Sequence, residues 1–96
     1  MSAKTAVKIV MICNEQGLHA RPSSALIKVA QEFESAILIR NLSAGTEADG
    51  KFLLEVMTLA AAKGTELEIS AEGCDADDAV LALAQLISGG FGEFGS

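Results

Sequence analysis

The sequence predicts an α+β fold, with helices laid on one face of a mostly antiparallel sheet. Three observations carry that expectation. The chain has 96 residues, half of them apolar and 21 % charged, which suits one domain around one core and is too apolar for disorder. Short strand-like runs interleave with segments of helical composition in the order β-α-β-β-α-β-α. Turn-forming residues separate them, so the elements are expected in two layers.

Thr5 to Ile12 (TAVKIVMI) is short, β-branched and bounded by the turn signal Asn14-Glu15-Gln16-Gly17, so it reads as a strand. Both of its faces are apolar, which leaves its inward register undecided. Leu18 and His19 lead into a helix whose stripe is Pro22, Ala25, Leu26, Val29 and Phe33, at the three-and-four spacing of one helical face. Pro22 falls in the first turn, where proline costs no intrahelical bond. Ala36 to Arg40 is a second strand, and a weak third is expected around Thr46 to Ala48.

Lys51 to Ala62 is helical by composition, with Gly64 closing it. Glu66 to Ala71 alternates as a half-buried strand does. The last helix runs from Asp75 to Ser88. Asp75 is placed to cap it, Asp77 and Asp78 suit the positive end of its dipole, and Ala76, Ala79, Val80, Leu83, Leu86 and Ile87 make its buried stripe. Residues 89–96 read either as a mobile tail or as a segment packed back on the sheet.

Charge narrows the function classes. A net charge of −6 with only seven Lys and Arg is unsuited to a nucleic-acid backbone or an anionic membrane. The longest uninterrupted apolar runs are a handful of residues, against the ~20 needed to span a bilayer, and no targeting segment is evident. Cys13 and Cys74 have no metal-like or redox-like spacing, so reduced thiols in a cytoplasmic protein are expected. A metal site from Cys13, His19 and Cys74 lacks a fourth ligand, and Asp75, Asp77 and Asp78 lack the glycine and closing glutamate of a calcium loop. No cofactor is expected.

The one histidine stands at the start of a helix, in Gly17-Leu18-His19-Ala20-Arg21-Pro22. The unpaired N–H groups of a helix start bind anions, and the dipole adds about half a positive charge there. Arg21 offers a fork of donors matched to phosphate oxygens. A phosphoryl group on His19 would meet all three. No catalytic base is evident nearby, which suits a carrier whose partners supply the rest. A surface histidine at a helix cap is the plainer alternative. In the second helix, Phe52, Leu53, Leu54, Val56, Met57 and Leu59 cover more than the ~100° stripe a surface helix buries. Either all are core, or some of Leu53, Leu54 and Met57 face water as a docking patch.

The hexapeptide Gly17 to Pro22, lying between first strand and first helix, resembles the active-site signature of the HPr family of histidine-containing phosphocarriers of the phosphoenolpyruvate-dependent phosphotransferase system. Element order, the apolar second helix ending in Leu59, the Ala62-Lys63-Gly64 turn and the Glu68-to-Gly73 strand exit extend the resemblance over essentially the whole chain. It implies an open-faced β-sandwich: a four-stranded antiparallel sheet under three helices. It implies that His19 takes phosphate on Nδ1 from phospho-enzyme I and gives it to an enzyme IIA domain, with Arg21 steadying the phosphoryl group. Leu53, Leu54 and Met57 would fall in the patch that docks both partners, and Lys28 would meet their acidic surfaces. A patch that must stay free for two partners in turn suggests a monomer.

In many members a regulatory serine opens the second helix. Phe52 stands there in this chain, which argues against that control and enlarges the apolar patch. The stretches Ile39-Arg40-Asn41, Gly45 to Ala48, Ala62-Lys63-Gly64 and Ser88 to Phe91 look more like the nitrogen-branch paralogue, NPr, than like sugar-branch members. A regulatory binding module, whose docking is switched by phosphorylation of His19, is the competing reading.

Overall fold

The computed structural model describes residues 4–92. Its elements are β1 (Thr5–Met11), α1 (Ala20–Gln31), β2 (Ala36–Asn41), β3 (Thr46–Asp49), α2 (Leu53–Met57), β4 (Glu66–Glu72) and α3 (Ala76–Ser88), followed by a 3₁₀ turn over Gly90–Gly92. The strands form one antiparallel sheet in the order β1-β4-β2-β3, with the helices on one face. The fold is the open-faced sandwich that the sequence predicts.

Alternation sets which side chains reach the helices. Ile37 and Ile39 of β2, and Leu67, Ile69 and Ala71 of β4, point inward and are buried against Leu26, Val56, Leu59 and Leu83. Pairing with β4 resolves β1, whose two apolar faces the sequence could not tell apart. Ala6 lies opposite Ala71 and Val10 opposite Leu67, so both face the core. Val7, Ile9 and Met11 therefore stand on the open face, 58 %, 57 % and 52 % exposed.

Two helices bury nearly the stripes expected. On α3, Ala76, Ala79, Val80, Leu83 and Ile87 are buried and Leu86 is half-buried. On α1 the buried face is turned toward Ser23, Ile27 and Ala30, beside Pro22 and Leu26, while Ala25, Val29 and Phe33 are only half-buried. Ser23 can be buried because its hydroxyl donates to the carbonyl of Leu18 at 3.2 Å.

The second helix is much shorter than the Lys51-to-Ala62 span its composition predicts, covering only Leu53–Met57. Beyond Met57 the hydrogen bonds tighten to i→i−3, with Leu59 N on Val56 O at 3.1 Å and Ala60 N on Met57 O at 3.3 Å. Ala60 then turns to φ +50, in the left-handed region. Tertiary partners take the carbonyls a longer helix would have used: Asn41 Nδ2 donates to Leu59 O at 2.9 Å, and Leu18 N to Ala61 O at 2.9 Å. These bonds override the helix propensity of three consecutive alanines.

Asp75 stands at the N-cap of α3, but its side chain makes no bond to the helix start. Its carboxylate instead accepts the N–H groups of Glu34 and Ser35, each at 2.9 Å, and the Ser35 hydroxyl, pinning the start of β2 to the start of α3. Of the expected tail, Phe91 packs against the core at φ +58. Phe94 and Ser96 lie outside the described residues.

Candidate functional site

The loop from Cys13 to His19 carries the chain from β1 to α1 and is built by its own short-range bonds. Asn14 to Gly17 is a turn in which Gly17 N donates to Asn14 O at 3.2 Å. The buried Asn14 side chain braces it, Nδ2 donating to Gly17 O at 2.9 Å. Gly17 has φ +66, a conformation glycine adopts at no steric cost. It also lies so close to the segment after α2 that a Cβ would stand 2.3 Å from Ala61 O. The bond from Leu18 N to Ala61 O fastens the loop there, and buried Leu18 anchors it in the core.

His19 is the N-cap residue of α1, half-buried, with φ −79 and ψ −172. Its carbonyl accepts Ser23 N at 3.0 Å, the first bond of the helix. The N–H groups of Ala20 and Arg21 precede that ladder and have no helical carbonyl in reach, and Pro22 brings none of its own. Positive backbone density is thus concentrated beside the histidine. Arg21 is exposed and forms no salt bridge among the described residues. Lys28 lies two turns further along, on the same side of α1 as Arg21 and about 10 Å up the axis, and is exposed as well.

The α2 residues divide cleanly. Val56 is fully buried, while Leu54 is 79 % exposed and Phe52, Leu53 and Met57 are also exposed. The surplus apolar face predicted from sequence is a surface patch. The segment leaving α2 is the one that holds Leu18, so patch and histidine loop are joined through Ala60 and Ala61. An ion pair spans the same two segments, Lys63 Nζ to Glu15 Oε1 at 2.8 Å. The hydrogen bond and charge of Lys63 hold the Glu15 carboxyl below its ordinary value, and Glu15 raises Lys63 in return. Both are solvent-exposed, so the pair is weak and salt-sensitive.

The two cysteines lie apart. Cys13 Sγ is 3.4 Å from Ile87 O and 3.3 Å from Ser88 O, at the end of α3. Cys74 adjoins the start of that helix, roughly 18 Å away by helical rise, and both thiols are free. Among the described residues no group of three His, Cys, Asp or Glu could hold a metal ion, and no helix is long and apolar enough to cross a membrane. Sequence reasoning found the turn at Asn14 to Gly17 but missed the Asn14 side-chain brace and the Gly17–Ala61 approach. The Asn-x-x-Gly spacing was the available signal for the first; nothing local signals the second.

An open-faced sandwich with a histidine capping its first helix and an exposed apolar second helix defines a narrow class of small α+β proteins. Comparison with known proteins identifies the family. The sequence model of PTS-HPr, described as the PTS HPr component phosphorylation site, matches residues 6–89, and the chain belongs to the HPr family. It is 36 % identical over 89 residues to phosphocarrier protein NPr of Escherichia coli K12, covering 93 % of this chain and 98 % of that one. It is 39 % identical over 84 residues to phosphocarrier protein HPr of Neisseria meningitidis serogroup A, covering 88 % and 92 %.

A third match, also 39 % over 84 residues, is the multiphosphoryl transfer protein of Escherichia coli O157:H7; it covers 86 % of this chain and only 22 % of that longer protein. The crystal structure of HPr-C-His from Thermoanaerobacter tengcongensis superimposes with a TM-score of 0.86 at 33 % identity, covering 92 % and 97 %.

Proposed function

We infer that this chain is a phosphoryl carrier of the phosphoenolpyruvate-dependent phosphotransferase system. His19 attacks the phosphoryl group of phospho-enzyme I through its ring Nδ1. A nitrogen–phosphorus bond forms on His19 as the bond to the donor breaks. Transfer to an enzyme IIA domain reverses the exchange, so the carrier ends each cycle unchanged. The observation that carries this reading is the setting of His19 at the N-cap of α1, beside the Ala20 and Arg21 amides that precede the helical ladder and two residues before the exposed Arg21, donor groups suited to a phosphoryl group. The two backbone amides need no reorganisation to serve an incoming phosphoryl group, because the turn, the Leu18–Ala61 bond and the helix have already fixed them.

Docking falls to Phe52, Leu53, Leu54 and Met57, with Lys28 meeting acidic groups on the partners. The matches to both HPr and NPr support the carrier reading for either the sugar or the nitrogen branch.

The test is intact-protein mass after incubation with phosphoenolpyruvate, magnesium and enzyme I, for wild type and His19→Ala. One acid-labile, base-stable phosphoryl adduct on wild type alone is expected, and ¹⁵N chemical shifts of the imidazole place it on Nδ1. An unmodified wild type, with an enzyme I that phosphorylates a control carrier, would overturn the relay and favour a binding module.

A further inference from the structure

The sheet face turned away from the helices carries an arrangement that the carrier reading leaves unused. Its side chains can be read off the strand pairing. Val7, Ile9 and Met11 of β1 form one exposed apolar column, and Leu38 with Leu42, at and beyond β2, forms a second. Between them runs β4, presenting Glu66, Glu68, Ser70 and Glu72 to the same face. Arg40 is the one cation among the described strand positions on this face, and it is already engaged by Glu47 at 3.3 Å and Glu68 at 3.9 Å. Where Ser70 replaces a carboxylate in the central column, Val7 and Leu38 wall an open depression of about 500 Å³.

An exposed strand stripe of Val, Ile and Met is costly to leave in water, and apolar patches of this kind mark interaction surfaces. The charge pattern selects the occupant. A second copy would bring the same carboxylates against these, and an antiparallel pairing of two β1 edges centred on Lys8 would set lysine against lysine. An anionic lipid or nucleic-acid surface is repelled for the same reason.

We propose that the open sheet face is a second docking surface, separate from the α2 patch, for a cationic amphipathic segment of a partner protein. Its apolar side chains lie on the two columns and in the depression over Ser70, while its Lys or Arg groups meet Glu66, Glu68 and Glu72. Charge gives this contact its selectivity and salt dependence; the columns give it most of its affinity.

The test titrates the ¹⁵N-labelled full chain with a synthetic amphipathic helical peptide of leucine and lysine, and with its leucine–glutamate counterpart. Amide shifts confined to β1, β4 and β2 are expected for the lysine peptide, with binding that weakens as salt rises. The pair Ile9→Thr and Met11→Thr should weaken it about tenfold, and so should Glu68→Gln with Glu72→Gln. The second pair keeps every apolar contact and guards against a folding defect in the first. Shifts centred on α2 and the His19 loop, no shifts at all, equal binding of the glutamate peptide, or concentration-dependent self-association of the chain would each overturn the proposal.

Discussion

Gly17 and Ala61 meet backbone to backbone, so close that a single added methyl group would stand 2.3 Å from the Ala61 carbonyl oxygen. Through this contact and the adjoining Leu18 bond, the segment after α2 sets where the histidine loop lies.

Gly17→Ala therefore combines two penalties. The left-handed φ of +66 costs ~1 kcal/mol for a residue with a Cβ, and over-packing against a backbone carbonyl adds ~1–3 kcal/mol. Urea denaturation should show a loss of about 2–4 kcal/mol, and phosphoryl acceptance by His19 should fall with it. Gly64→Ala is the control: Gly64 has φ +91 but nothing within 4 Å of the new methyl, so only the strain of about 1 kcal/mol should appear.

Ala60 offers the reverse change. It holds φ +50 with a Cβ in place, so Ala60→Gly should raise stability by about 0.5–1 kcal/mol. A lowered urea midpoint would mean that the backbone there is not strained in solution.

Leu54 and Val56 are two residues apart on α2, the first 79 % exposed and the second fully buried. Leu54→Glu leaves the core untouched and should keep the melting temperature, while raising the KM of phosphotransfer with enzyme I about tenfold. Val56→Ala opens a void in the core and should cost about 2 kcal/mol with KM little changed. A Leu54→Glu carrier with wild-type KM would remove the patch from the docking surface.

The Asp75 carboxyl is held below the ordinary carboxylate value, first by the Ser35 hydroxyl and then by the Glu34 amide. A carboxyl whose value is lower folded than unfolded adds stability above its unfolded value, near pH 3.9, and loses it as pH falls through the folded value. The urea midpoint should accordingly drop between neutral pH and about pH 3, and less steeply in Asp75→Asn. Identical slopes for the two proteins would assign acid sensitivity to other carboxylates.

Much of this was legible in the sequence because the signals were local. Glu66 to Ala71 alternates and Ala76 to Ile87 keeps a helical stripe, so the sheet centre and α3 could be read directly. The placement of the candidate site at the start of α1 was legible for the same reason: Gly17, His19, Arg21 and Pro22 fall within six residues, and the physics of a helix start needs nothing from elsewhere. The failures are non-local. Three alanines at Ala60 to Ala62 argue for helix until Asn41 and Leu18 claim the carbonyls of Leu59 and Ala61. Asp75 was expected to cap its own helix, but β2 presents better-placed donors.

The two-sided apolar character of β1 has a consequence for folding. Sliding this strand by one residue against β4 would exchange its faces, putting Val7, Ile9 and Met11 inside and Ala6 and Val10 outside, and would even free Lys8 from the inner side. Hydrophobic pattern alone hardly opposes that slip. The correct alignment is held by the strand's two ends. Gly73 N donates to Lys4 O at 2.8 Å at one end; Ile12 N donates to Thr65 O at 2.9 Å and Gly64 N to Ile12 O at 2.7 Å at the other. These few backbone bonds choose between two nearly equal burial patterns, and by fixing Ile12 they also decide where, seven residues later, the histidine emerges.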